Sequence, residues 1–255
     1  MPTYFLIVSL GRCGSTLLSQ SLNQCDGVFC DYELVNRDSD KLRAGHISIA
    51  LQESSFSFRH ALSQLCSENA VVGSKLSVPR YQWASHSFWK QVIGKLAIEN
   101  IKIVHLSRSL IEHFVSRKVV NATGIWHIRT NSGFMEEAKN RETYELPNFS
   151  VSEEDIDTFC HDALIAERYI ISLKRSLPYL FVDYADLTHE GNEILSFLGT
   201  SISSNNKGNG LFETTGIQKT IRIPHADLIT NFDAIEMRFL TWERKREQLL
   251  FNLKQ

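Results

Sequence analysis

Short apolar runs alternate with segments of helical periodicity along this chain of 255 residues. The runs are rich in β-branched and aromatic residues, which is typical of strands buried inside a sheet. They cover residues 4–10, 27–30, 70–76, 101–106 and 179–182. The predicted helices cover 17–23, 56–65, 110–120 and 232–253, and a long one begins at the capping pattern Ser150-x-x-Glu153. This alternation predicts an α/β fold in one domain over residues 1–255, with a parallel sheet flanked by helices.

The first strand runs directly into a loop of small residues, and a helix follows. Such a loop lets backbone N–H groups converge on one point, where the helix dipole adds partial positive charge. An arginine inside the loop adds donors that match phosphate or sulfate oxygens, and two hydroxyls follow. The pattern therefore predicts an anion site. Its residues are Gly11, Arg12, Cys13, Gly14, Ser15 and Thr16.

Two common nucleotide-binding signatures do not fit this loop. The ATP-binding P-loop needs a Lys between its last Gly and its Ser or Thr, whereas here Gly14 is followed directly by Ser15 and Thr16. The dinucleotide fingerprint needs three glycines in the order G-x-G-x-x-G, and this loop offers Gly11-x-x-Gly14. A phosphate loop with Arg12 and without the magnesium-site Lys favours a nucleotide that is bound without metal.

The loop resembles the 5′-phosphosulfate loop of sulfotransferases that use 3′-phosphoadenosine 5′-phosphosulfate (PAPS), in its bacterial form with Arg. In that family an Arg after a later strand, and a Ser eight residues further on, hold the 3′-phosphate; Arg108 and Ser116 match this spacing. The alternative is a salt bridge at the helix N-terminus and a neutral surface Ser. Residues 73–76 and 123–126 resemble further blocks of the family. The resemblance implies a P-loop-like sulfotransferase fold, and it is greatest to the bacterial sulfolipid, trehalose 2-sulfotransferase-like type.

The resemblance also implies a general base. In the bacterial sulfolipid type this base is a Glu after the first helix, which corresponds to Glu33; the alternative is a solvated loop carboxylate. Cytosolic sulfotransferases use a His instead, for which His105 and His46 are the rivals. Lys75 ends a predicted strand at the edge where α/β sheets collect ligands, and we expect it to contact the sulfonate or the acceptor, unless it only reaches solvent from a strand end.

Two later segments resemble nucleotide contacts of the family. Residues 183–187 are similar to its Tyr-Glu-Asp-Leu signature, which implies that Tyr184 lies against the adenine; a core-edge tyrosine is the alternative. Lys219 and Thr220 resemble part of a segment that closes over the nucleotide. We expect residues 128–149 to form a lid or an insertion, and residues 201–210 to form a flexible loop.

Composition limits the partners. The net charge is −2, which argues against nucleic acid and anionic membrane surfaces, and the N-terminal apolar run is too short to span a membrane. Five cysteines without a CxxC pair favour reduced thiols in a cytoplasm, and nine histidines without metal-ligand spacing predict no metal.

The expected acceptor is a carbohydrate, a glycolipid or another small hydroxyl or amine compound, and the C-terminal helix offers a surface for a possible homodimer. The alternatives are an ATP-dependent small-molecule kinase and a non-catalytic nucleotide-binding module.

Overall fold

A computed structural model of the protein describes residues 2–31, 56–65, 68–123, 128–129, 148–187, 189–201, 217–218 and 225–254. The chain divides into two compact units. The first unit contains Met1–Ser107 and Ile165–Thr214, and the second contains Arg108–Leu164 and Thr215–Gln255. The expectation that residues 1–255 form one sulfotransferase-like domain stays a prediction.

The first unit is built on a five-stranded parallel sheet. Its strands are β1 (Thr3–Ser9), β2 (Val28–Asp31), β3 (Val71–Ser77), β4 (Lys102–Ser107) and β6 (Tyr179–Asp183). They lie in the order β2-β3-β1-β4-β6. Residues 5–8 of the central strand β1 are fully buried, as expected for an apolar strand that is covered on both faces. In register, Ile7 lies between Lys75 of β3 and Val104 of β4.

The helices of the first unit lie between these strands in the chain, except the last helix, which follows β6. They are α1 (Ser15–Leu22), α2 (Phe58–Ser63), α3 (His86–Leu96) and α6 (Gly191–Leu198). The hydroxyls of Ser57 and Ser85 cap α2 and α3 by accepting backbone N–H bonds from the first turns. The predicted α/β class, a parallel sheet flanked by helices, is therefore confirmed.

The second unit is mainly helical. Its helices are α4 (Leu110–Thr123), the larger part of α5 (Glu153–Ser172), α7 (His225–Leu228) and α8 (Phe232–Lys254), and β5 (Ile128–Arg129) pairs antiparallel with β7 (Ile217–Gln218). Phe114 packs edge-on against Phe159 and Phe239, which joins α4, α5 and α8. Helix α5 is present, but the predicted cap Ser150 is wrong: the Ser152 hydroxyl accepts the Asp155 N–H at 3.1 Å, and the helix begins at Glu153, later than a cap at Ser150 implies.

Among the described residues, no helix has both the length and the apolar character needed to cross a membrane. Most of the expected lid at 128–149 and nearly all of the expected flexible loop at 201–210 lie outside the described residues.

Candidate functional site

The loop between β1 and α1 has an unusual backbone. Gly11 has φ 76°, Arg12 has φ 58° and Gly14 has φ 89°, so three of four successive residues adopt the left-handed conformation. Successive N–H groups in such a turn form a concavity that binds anions, and α1 begins directly after it. For Arg12 this conformation costs of order 1–3 kcal/mol, and strain of this kind is typical of functional sites. The loop predicted from the sequence is therefore present with a backbone that suits an anion, while anion binding stays a prediction.

Tyr184 packs directly on this loop. A Cβ atom built on Gly14 would lie 2.5 Å from Tyr184 Cδ2 and 2.6 Å from Cε2, so only glycine leaves room for the ring. The Tyr184 N–H donates to the Ser107 carbonyl at 2.8 Å, which ties the end of β6 to the end of β4. The structure thus brings Tyr184 to the phosphate loop, while its contact with adenine stays a prediction.

Lys75 lies at the same edge of the sheet. Its ammonium donates to Thr16 Oγ1 at 3.0 Å, and both residues are buried, with 6% of each exposed. The neighbouring Cys30 thiol has its pKa raised by burial, and the positive charge of Lys75 opposes part of that rise. A buried cation at the start of α1 reinforces the positive potential of the helix N-terminus. Lys75 is therefore positioned by the fold, and not only a solvated side chain at a strand end.

The Cys13 thiol donates to the Gly11 carbonyl at 3.3 Å within the loop, and Cys13 is buried. It thus closes the turn from inside, as expected for a small filler. Ser15, the first residue of α1, is also buried.

A buried polar cluster joins β4 to the first residue of β6. His105 Nδ1 lies 2.5 Å from the Tyr179 hydroxyl, and His105 Nε2 lies 3.7 Å from Glu167 Oε1. Ser107 donates its hydroxyl hydrogen to the same Glu167 oxygen. Burial and the Glu167 charge raise the pKa of Tyr179. His105 is fully buried in this cluster, and its role as a rival base stays a prediction.

Glu167 is a residue that sequence reasoning missed. It lies on α5 and is 3% exposed. The signal in the sequence was its position: a carboxylate three residues after Leu164 and three before Ile170, on the apolar face of the helix. A buried carboxylate needs partners, and here Ser107 and His105 of β4 are partners of Glu167.

The second unit holds the second predicted phosphate site. Arg108, which precedes α4, donates from Nε to Glu112 Oε2 at 3.0 Å, and Ser116 is buried two turns further along the helix. His225, at the start of α7, lies within the influence of the same charges. Burial lowers the pKa of His225. The negative charge of Glu112 opposes this shift, and the positive charge of Arg108 adds to it. The structure thus adds His225 to the surroundings of Arg108, which the sequence did not indicate.

Several predicted site residues lie outside the described residues: Glu33, His46, Lys219 and Thr220. That the loop around Arg12 and the residues around Arg108 hold opposite ends of one nucleotide stays a prediction. Within the ranges that the structure describes, no group of three or more His, Cys, Asp or Glu side chains is arranged to hold a metal ion. The expectation of no metal stays a prediction as well.

The comparisons with known proteins point to one family. A family model described as "Sulfotransferase domain" matches residues 2–220, which include both candidate phosphate sites. A search of curated proteins found no match. The chain belongs to the sulfotransferase domain family, and this membership supports a transferase that moves sulfonate groups.

Three solved structures resemble the fold. One is a sulfotransferase from Alicyclobacillus acidocaldarius, with 14% identity, 96% of this chain and 95% of that chain covered, and a TM-score of 0.47. The second is the sulfotransferase domain of the Synechococcus PCC 7002 olefin synthase, with 13% identity, coverage of 96% and 95%, and a TM-score of 0.46. The third is a sulfotransferase domain from the curacin biosynthetic pathway, with 13% identity, coverage of 88% and 94%, and a TM-score of 0.44. Because the sequence identities are at most 14% and the TM-scores are below 0.5, the family membership of the chain depends only on the match to the family model.

Proposed function

We propose that the protein transfers the sulfonate group of PAPS to a hydroxyl or amine of a carbohydrate, glycolipid or other small molecule. The observation that carries this proposal is the left-handed loop Gly11–Gly14, which directly precedes α1 inside the region matched by the family model. We further propose that the enzyme is of the bacterial sulfolipid, trehalose 2-sulfotransferase-like type. It acts in the cytoplasm and without metal.

The residues of the loop fit the 5′-phosphosulfate. Its N–H groups, the Arg12 guanidinium and the hydroxyls of Ser15 and Thr16 supply donors from several sides. We assign Cys13 to the inside of this turn, where its thiol contacts Gly11.

The second phosphate is assigned to the other unit. Arg108 and Ser116 hold the 3′-phosphate, and Lys219 and Thr220 complete its binding. A site built for a 3′-phosphate discriminates against ATP and ADP, because these nucleotides have no 3′-phosphate and so lose the charge-assisted hydrogen bonds that Arg108 and Ser116 would give it. Tyr184, which packs on Gly14, contacts the adenine.

In the reaction, the acceptor oxygen or nitrogen forms a bond to sulfur while the bond from sulfur to the bridging phosphate oxygen breaks. Glu33 takes the acceptor proton, and 3′-phosphoadenosine 5′-phosphate leaves with the electron pair. Arg12 and Lys75 stabilise the negative charge that grows on the bridging oxygen. The contact of Lys75 with Thr16 supports this role, since it holds the ammonium at the start of α1 before the substrate arrives.

Calorimetry separates this function from the kinase alternative. We expect 3′-phosphoadenosine 5′-phosphate to bind more tightly than ADP with magnesium, because ADP leaves the site around Arg108 empty. Equal or tighter binding of ADP would overturn the proposal.

A screen of labelled PAPS against glycan, glycolipid and phenol libraries then identifies the acceptor class. With that acceptor, Glu33→Ala should lose most of the turnover and keep donor binding. Full turnover in this variant would reject Glu33 as the base. A wild-type protein that binds the nucleotide and transfers sulfonate to no acceptor would instead be the non-catalytic binding module.

A further inference from the structure

The outer face of the C-terminal helix α8 carries a stripe of exposed side chains. Met237 is 62% exposed, Leu240 43% and Phe251 61%, and the exposed Arg244 and Glu247 lie between them. These five residues are separated by three, four, three and four positions, which is the spacing of a coiled-coil seam. We call them the α8 stripe. Large apolar side chains at seam positions, left in solvent, are typical of a surface that pairs with another helix.

The other face of α8 already has its partners. Ile235, Phe239, Arg246 and Leu250 are buried, and the Phe239 ring contacts Phe114 of α4. In the described part of the chain, the ion pairs of α8 involve Arg238 and Arg246. Packing within the unit therefore uses the side of the helix opposite to the α8 stripe, and the stripe is available to a partner.

The charges within the stripe identify that partner. In an antiparallel pair of identical helices, residues at equal distances from the two-fold axis face each other. An axis between Lys245 and Arg246 places Leu240 opposite the partner's Phe251. The same axis places Arg244 opposite the partner's Glu247. One symmetry axis thus matches Leu240 with Phe251 and Arg244 with Glu247, twice in each dimer. Met237 falls opposite position 254, at the end of the helix.

A parallel pair fails this test. Residues at the same seam position would face their own copies, so Arg244 would oppose the partner's Arg244 and Glu247 the partner's Glu247. Like charges that face each other at seam positions destabilise a helix pair, so they disfavour the parallel orientation. The sequence of the stripe therefore favours the antiparallel arrangement.

We propose that two copies of this chain associate through the α8 stripe, antiparallel, around an axis between Lys245 and Arg246. This interface is independent of sulfonate transfer, because none of its residues belongs to the candidate site. A single helix pair buries a small area, so the dimer exchanges with monomer as concentration falls.

Sedimentation equilibrium of the full chain over a wide concentration range tests the proposal. The wild-type protein should shift from the monomer mass toward twice that mass as concentration rises. Arg244→Glu turns both charge contacts into pairs of carboxylates, and Glu247→Arg turns both into pairs of cations. Each variant should weaken dimerisation by about tenfold or more. Lys90→Glu changes the charge by the same amount at an exposed residue of α3. This variant is the matched control and should dimerise like the wild type.

Mixing the two variants gives the decisive result. In the mixed pair, both acidic residues of the Arg244→Glu chain face the two arginines of the Glu247→Arg chain, so dimerisation should return. A wild-type protein that stays monomeric, charge variants that dimerise as well as Lys90→Glu, or a mixture that shows no recovery would each overturn the proposal. Circular dichroism of every variant confirms that the exposed substitutions leave the fold intact.

Discussion

Gly14→Ala adds one methyl group where the phosphate loop meets α1. The new Cβ would lie 2.5 and 2.6 Å from two atoms of the Tyr184 ring, at a backbone φ of 89°. The left-handed conformation costs a non-glycine residue roughly 1–2 kcal/mol. Overpacking adds about 1–3 kcal/mol, because the Tyr184 backbone is bonded to Ser107 and the ring has little room to withdraw. The expected loss is therefore about 2–5 kcal/mol if the loop keeps its shape.

Urea unfolding measures this loss, and Gly94→Ala provides the control. Gly94 lies within α3, and a Cβ there meets nothing within 4 Å, so this variant should gain about 0.5–1 kcal/mol. If the loop relaxes instead of straining, stability is partly kept and the binding of 3′-phosphoadenosine 5′-phosphate weakens. The double variant Gly14→Ala/Tyr184→Ala should recover the steric part of the loss. Gly14→Ala with the stability and the nucleotide affinity of Gly94→Ala would refute this reasoning.

Two further predictions concern a buried cation and a surface ion pair. Lys75→Ala should lower kcat by about 10²–10³-fold, because it removes a preorganised cation beside Thr16. A kcat within twofold of the wild-type value would reject the catalytic role of Lys75. Hydrogen bonds from Arg238 and Trp242 lower the pKa of Asp157 to about 2, so its stabilising effect should be complete above about pH 4 and disappear as the pH falls toward 2. Urea unfolding of wild type and Asp157→Asn across that range should show a small difference that shrinks on acidification, because both ionic side chains are at least one third exposed. A difference that grows on acidification would contradict the assignment.

The sequence predicted the elements of the fold better than their arrangement. Strands such as β1 and β4 were predicted because apolar β-branched residues fill short runs between helical segments. The order of strands in the sheet, with β1 between β3 and β4, depends on contacts between distant residues that no local pattern encodes. The misplaced cap of α5 has a local cause, because Ser150 and Ser152 both precede the helix and either hydroxyl fits the pattern.

Some features of the candidate site could likewise be predicted from the sequence, and others could not. The glycines at 11 and 14 indicated a loop between the first strand and the first helix, and the structure has this loop, with positive φ at both glycines. The left-handed Arg12 was not predictable, since the conformation is rare in non-glycine residues and is fixed here by the surrounding fold. The contact between Lys75 and Thr16 joins residues 59 positions apart and depends on the register of the sheet.

The claim that two phosphate sites hold one nucleotide is tested most directly by Arg108→Ala. Binding of 3′-phosphoadenosine 5′-phosphate and of adenosine 5′-phosphate is measured by calorimetry with wild type, Arg108→Ala and Arg12→Ala. Wild type should prefer the 3′-phosphorylated compound. Arg108→Ala should remove most of that preference, a change of about 10–100-fold for one charge-assisted contact, while Arg12→Ala weakens both compounds alike. An undiminished preference in Arg108→Ala would contradict the account.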